Sequence, residues 1–171
     1  MDHHVHSIYL PAYDSSGEGL MTQVTMTLLT GKSLRVTSSG TLADALKNNF
    51  TRAIEIMSSV REAWKLLLSA EYRLEGEGAY IVRDTKSAGM AIGIALINAH
   101  RILSGFNSVP GLTGTGVLRN DGTFDQAKGE DKKFSAAKLN MPGFKKFVTP
   151  EVCKNLFQLE YFFNSFNQPG G

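Results

Sequence analysis

The chain has 171 residues, 18 Lys plus Arg against 16 Asp plus Glu, and a formal net charge of +2. That balance excludes a strongly basic nucleic-acid binder and an acidic tail protein, and 42% hydrophobic residues exclude wholesale disorder. The length suits one domain over residues 1–171, with loose ends at about 1–4 and 167–171, able to bury roughly two thirds of its unfolded surface. A single cysteine, Cys153, excludes an internal disulfide and a multi-cysteine zinc site. It fits a reducing compartment, and a cytoplasmic location is the expectation. The most apolar run, Ala88 to Leu103, carries Asn98, His100 and Arg101, and is too short to span a bilayer. The first residues do not have the basic-then-apolar order of an export signal.

In chain order, Val5 to Tyr13 reads as a strand broken by Pro11. The preceding His3, His4 and His6 are either a metal-binding group or, as the simpler reading, a solvated, frayed terminus. A turn-rich loop runs from Asp14 to Gly19. Leu20 to Leu29 alternates as a strand, with Val24, Met26 and Leu28 on one face. Thr30-Gly31-Lys32 is a turn, and Ser33 to Thr37 returns as a strand with Leu34 and Val36 on one face, which predicts an antiparallel meander. Gly31-Lys32-Ser33 resembles the end of a phosphate loop, but Met26 stands where that loop needs its first glycine, so a hairpin turn is expected.

Leu42, Leu46, Phe50, Ala53, Met57, Val60, Trp64 and Leu67 recur at steps of three or four, which predicts one long helix from about Leu42 to Leu68. Glu71 to Gly76 follows as a strand with Tyr72 and Leu74 on one face, then an irregular connection to Lys86. Ser87 to Leu103 is apolar nearly all round, the mark of a buried central helix. Leu112 to Leu118 and Thr123 to Ala127 are strands about an Asn120-Asp121-Gly122 turn. A helix is expected from near Glu130 to about Asn140, with Glu130 and Asp131 in its favourable first turn. Phe144 to Val148 is a strand, and Thr149-Pro150-Glu151 has the order of a helix start. Strands followed by helices packed on them give an α+β class, with mixed sheets.

The segment Asp84-Thr85-Lys86-Ser87-Ala88-Gly89 carries chemical interest. A serine among small residues opens a buried helix, where small neighbours admit a substrate backbone and first-turn amides can stabilise an oxyanion. The same serine can equally be a helix N-cap. Weaker candidates are a Cys153–His100 thiol–imidazole pair and a metal group of Glu75, Glu77 and Asp84. The lysines from Lys128 to Lys138 form a basic face for polypeptide, phosphate or water.

Asp84 with Ser87-Ala88-Gly89 resembles the Asp-Gly-Pro-Ser-Ala-Gly nucleophile motif of the Lon protease proteolytic domain, with Thr85 and Lys86 in place of the Gly-Pro pair. Thr115-Gly116 and Gly122, seven residues after Thr115, resemble that family's Thr-Gly strand and glycine turn. Lys128-Gly129-Glu130-Asp131-Lys132-Lys133-Phe134-Ser135-Ala136-Ala137 resembles its lysine motif, with Lys128 in place of the first glycine. The paired strands from Leu20 to Ser39 and the strand ending at Pro150 fit as well, so the likeness covers about residues 5 to 150. It implies a Lon-like fold and a serine endopeptidase acting on unfolded polypeptides, with Ser87 as nucleophile, Lys133 as base and Thr115 orienting the lysine. In such a site Asp84 either engages the dyad or blocks it. Further implications are six-fold self-association, an ATPase module in trans or in a longer chain, and no cofactor, metal or membrane.

The chemistry has its own logic. A lysine serves as base only when neutral, and burial can bring its pKa from about 10.4 to roughly 7–8. Lys132 and Lys133 compete for the role. The apolar Ala136 and Ala137 on the stripe of Lys133 favour it, because Lys132 faces Ser135. Two other readings stand beside the peptidase: an inactive Lon-like assembly module, and a nucleic-acid-associated domain that the near-zero charge argues against.

Overall fold

The computed structural model describes residues 3–14, 16–78 and 85–166. Asp84, Met1, Asp2 and the tail 167–171 lie outside the described residues. The architecture is α+β. Four strands form the main sheet in the order β1 (His3–Tyr13), β2 (Gly19–Thr30), β4 (Ala70–Glu75), β3 (Arg35–Ser39). Helix α1 (Thr41–Val60) connects β3 to β4, and a 3-10 helix (Glu62–Ser69) leads from it into β4. A 3-10 turn (Thr85–Ala88) opens α2 (Gly89–Leu103). Short strands β5 (Leu112–Gly114), β6 (Val117–Leu118) and β7 (Phe124–Asp125) follow, then α3 (Glu130–Asn140), β8 (Lys146–Val148) and α4 (Leu156–Phe166).

The N-terminal histidines are not frayed. His3, His4 and His6 belong to β1 and face Leu29, Leu28 and Met26 across an antiparallel ladder. Pro11 does not break that strand. It lies within β1 opposite Met21, on an edge strand where a missing N–H is tolerated.

The expected meander is only half present. β2 pairs with β1, but β3 pairs in parallel with β4, which sits between β3 and β2. The reason lies in the side chains. Tyr72 and Leu74 of β4 are fully buried, whereas β3 reads Arg-Val-Thr-Ser-Ser with both ends exposed. The apolar strand takes the central slot and the polar one the edge, and α1 supplies the crossover that a parallel pair requires. Gly31 makes a left-handed turn (φ 70°) into exposed loop and strand β3, not into a helix, so no phosphate loop forms there.

The long amphipathic stripe holds, but its helix breaks. Arg61 is extended (φ −149°, ψ 129°), and a tighter 3-10 helix carries Trp64 and Leu67 into the core. Glu160 of α4 explains the break. It accepts from Trp64 Nε1 at 2.9 Å and pairs with the Arg61 guanidinium, which lies 5.2 Å from the Trp64 ring centre.

The expected strand from Leu112 to Leu118 splits at Thr115-Gly116: β5 pairs with β8 and β6 with β7. The last helix starts later than Thr149-Pro150-Glu151, which forms a single turn on the Thr149 carbonyl. Asn155 is the working cap. Its Oδ1 accepts from Gln158 N at 2.9 Å, and Gln158 Oε1 accepts from Lys154 N at 2.8 Å. No helix among the described residues is long and apolar enough to cross a membrane.

Candidate active site

The site is built where the start of α2, the break between β5 and β6, and the first turns of α3 meet. Ser87 lies in the 3-10 turn ahead of α2 and is half-buried. It is not the N-cap of that helix. Ala88 holds the N-cap position, and no side chain caps it. The backbone docks tightly instead. Gly116 N donates to Ser87 O at 3.2 Å, and Met90 N donates to Gly116 O at 3.1 Å. A Cβ on Gly89 would lie 2.6 Å from Leu118 N, and one on Gly114 would lie 2.1 Å from Val148 O. Gly89, one of the small residues that suggested room for a substrate backbone, therefore admits the protein's own strand β6.

Lys133 is in the second turn of α3 and only 3% exposed. Its Nζ donates to Thr115 Oγ1 at 3.0 Å. Thr115, 1% exposed, is fixed through its N–H to Val148 O at 3.1 Å, and its hydroxyl lies 3.5 Å from Ser87 O. Thr115 thus bridges the lysine amine and the serine backbone. Ala136 and Ala137, on the same stripe of α3, are buried with Lys133, which is why it faces inward.

Lys132 points elsewhere. It is exposed, and its Nζ lies 2.7 Å from where a Cβ on Gly17 would stand, in the turn between β1 and β2. The geometry separates the two lysines that residue types left in competition.

One wall of the lysine site was not foreseen. The Tyr13 ring lies 5.6 Å from Lys133 Nζ, and a Cβ on Gly129 would stand 2.8 Å from that ring. The left-handed Gly129 (φ 75°) therefore does two things: it turns the chain into α3 and clears space for Tyr13. The sequence signal was the glycine just before the helix.

Of the other candidates, Glu77, His100 and Cys153 have structural roles. Glu77 accepts from Thr41 N at 3.2 Å and Thr41 Oγ1 at 3.1 Å, a carboxylate on the start of α1 where the helix dipole favours it. His100 Nε2 meets Ala63 O at 3.1 Å, and burial is the main cause that lowers its pKa. Cys153 is fully buried in the turn before α4, and burial pushes its thiol up to about 11. A neutral, buried thiol is not a nucleophile. Among the described residues no group of three or more His, Cys, Asp or Glu gathers to hold a metal. Asp84 lies outside the described residues. Lys132 and Lys138 lie on the exposed side of α3, with Lys138 Nζ 5.5 Å from the Phe134 ring, and the exposed Lys128 precedes the helix.

No protein-family model and no curated protein matches the chain.

Proposed function

We propose that the protein is a serine endopeptidase of the Lon type, with a Lon-like proteolytic fold, and that it cleaves unfolded polypeptides through a Ser87–Lys133 dyad. The observation that carries this reading is a buried lysine amine held on Thr115, whose hydroxyl also approaches the backbone of Ser87. An ordinary helix lysine lies in water. Lys133 is only 3% exposed, its amine held on the Thr115 hydroxyl beside the Tyr13 ring and the buried Ala136 and Ala137.

In the proposed reaction Ser87 Oγ attacks the peptide carbonyl carbon and its proton passes to the Lys133 amine. The ammonium returns that proton to the leaving amine as the C–N bond breaks, leaving an acyl-enzyme. Water then repeats the sequence, releasing the acid and restoring serine and neutral lysine. Thr115 orients the amine through its hydroxyl.

A second reading, a catalytically silent assembly module of the same fold, is favoured by the closure around Gly89 and by the Met90 N–H that Gly116 O takes up.

Hydrolysis of denatured casein and of a fluorogenic peptide separates the two. Ser87→Ala should abolish turnover, and Lys133→Met should lower it by roughly 10²–10⁴, with circular dichroism unchanged. Lys132→Met should leave turnover intact. Absence of turnover by the wild type from about pH 7 to about 9, where a neutral lysine base would act, rejects the peptidase in favour of the silent module.

A further inference from the structure

β1 is the outer strand of the main sheet, eleven residues long, and residues 3–13 include no Asp, Glu, Lys or Arg. Folded proteins normally blunt such an edge with charge, shortness or a cover. Part of it is covered. Tyr9 O accepts from Thr113 Oγ1 at 2.8 Å, on the side away from β2. In an antiparallel ladder the residues alternate between those whose backbone groups meet the partner and those whose groups face away. Tyr9 therefore places Val5, Ser7 and Pro11 in the same outward set. Pro11 has no N–H to offer, which agrees with that assignment.

Beside the remaining stretch, Val5 to Tyr9, lies a cleft of about 260 Å³. Ala91, Ile94 and Asn98 of α2 form one wall, and Val109, Leu112 and Met141 the other. Asn98 locks the second wall, donating to Val109 O at 3.2 Å and accepting from Val109 N at 2.7 Å. His6 also lines the cleft, and its buried Nε2 has no hydrogen-bond partner among the described residues.

We propose that this cleft binds an extended polypeptide segment as an added strand on the open edge of β1. A row of backbone donors and acceptors at two-residue spacing is matched by another extended backbone. The walls, which mix polar and apolar surface, receive alternate side chains. The inference does not depend on hydrolysis, since none of these residues belongs to the Ser87–Lys133 site.

The test uses the full chain carrying Ser87→Ala, so that the probe stays intact. The probe is a fluorescent acetyl-Lys-Thr-Val-Ala-Val-Thr-Lys amide, followed by anisotropy. Two versions carry N-methyl groups on alternate sets of residues. Strand addition predicts that one set loses binding and the other keeps it. Ser7→Pro deletes an outward N–H and, like Ser7→Ala, the Ser7 Oγ that accepts from Gln23 Nε2 of β2 at 2.7 Å; it should weaken binding about tenfold or more. Ser7→Ala should not. In the Ser87→Ala chain with Ser7 unchanged, saturating probe should slow amide exchange at Val5 and Ser7. The proposal is overturned by absence of binding, by equal binding of both methylated probes, or by unchanged exchange at those two amides. Self-association that Ser7→Pro abolishes would also overturn it, by assigning the edge to a second copy.

Discussion

Lys133 and Thr115 form a couple in which each residue limits the other. The Thr115 hydroxyl gives the buried amine a fixed partner at 3.0 Å, and its own backbone is tied to β8. Thr115→Val keeps the shape and removes the oxygen. The expected outcome is a loss of kcat of roughly 10²–10³, smaller than for Lys133→Met, with a displaced pH profile, measured on the fluorogenic peptide. Two histidines contribute to the loss of stability on acidification. His6 is held below the usual histidine range by burial first and the neighbouring His4 second, and burial is the leading cause at His100 as well. Their folded-state values lie below the unfolded value of 6.5, so the unfolded chain binds more protons as the pH falls. Stability is therefore full above that value and is lost on acidification through the folded values. Melting curves from about pH 7.5 to about 5 should show a falling Tm, and the fall should be shallower in His6→Phe.

At the scale of elements, the junction of α1, the 3-10 helix and α4 shows how one buried indole reorganises a helix. The periodicity of the stripe through Trp64 and Leu67 was legible because it reflects which residues are buried. The break at Arg61 was not, because it follows from Glu160, which is 96 residues from Trp64 in sequence. Glu160→Leu removes the acceptor of a fully buried indole N–H and should cost about 1–3 kcal/mol, while Glu160→Gln, which retains an acceptor, should cost less. Trp64 is the chain's single tryptophan, so thermal unfolding followed by its fluorescence reads this junction directly. α3 behaves differently. Its bounds, Glu130–Asn140, agree with the sequence reading because they rest on local signals, acids in the first turn and Pro142-Gly143 after the last. α4 starts later than expected because Asn155 and Gln158 cap each other's turn more fully than Thr149 caps its own.

For the whole molecule, one apolar cluster joins the inner face of the sheet to α1, α2 and α4, from Ile8 and Met26 through Phe50 and Tyr72 to Leu159 and Phe163. The proposed dyad lies at its margin. Ser87 stands at the open end of α2, and α3 closes over the end of the β1–β2 hairpin. The self-association implied by the Lon resemblance makes a concentration-dependent prediction. Specific activity per chain should rise with protein concentration over the range in which sedimentation velocity shows assembly. Activity independent of concentration, in a chain that sediments as a monomer, would remove assembly from the proposal.

By itself the sequence determined what is local or periodic: the class of the fold, the buried α2, the inner faces of β2 and β4, the bounds of α3, and the inward side of Lys133 set by Ala136 and Ala137. Those features follow from which residues avoid water at spacings of two or of three to four. Only the tertiary structure decided that β4 separates β2 from β3, that Arg61 breaks the long helix, that Ala88 rather than Ser87 holds the cap position, and that Tyr13 walls the lysine. Each of these depends on a partner far along the chain, and the competition among distant partners for the same buried space leaves no periodic trace in the residues that lose or win it.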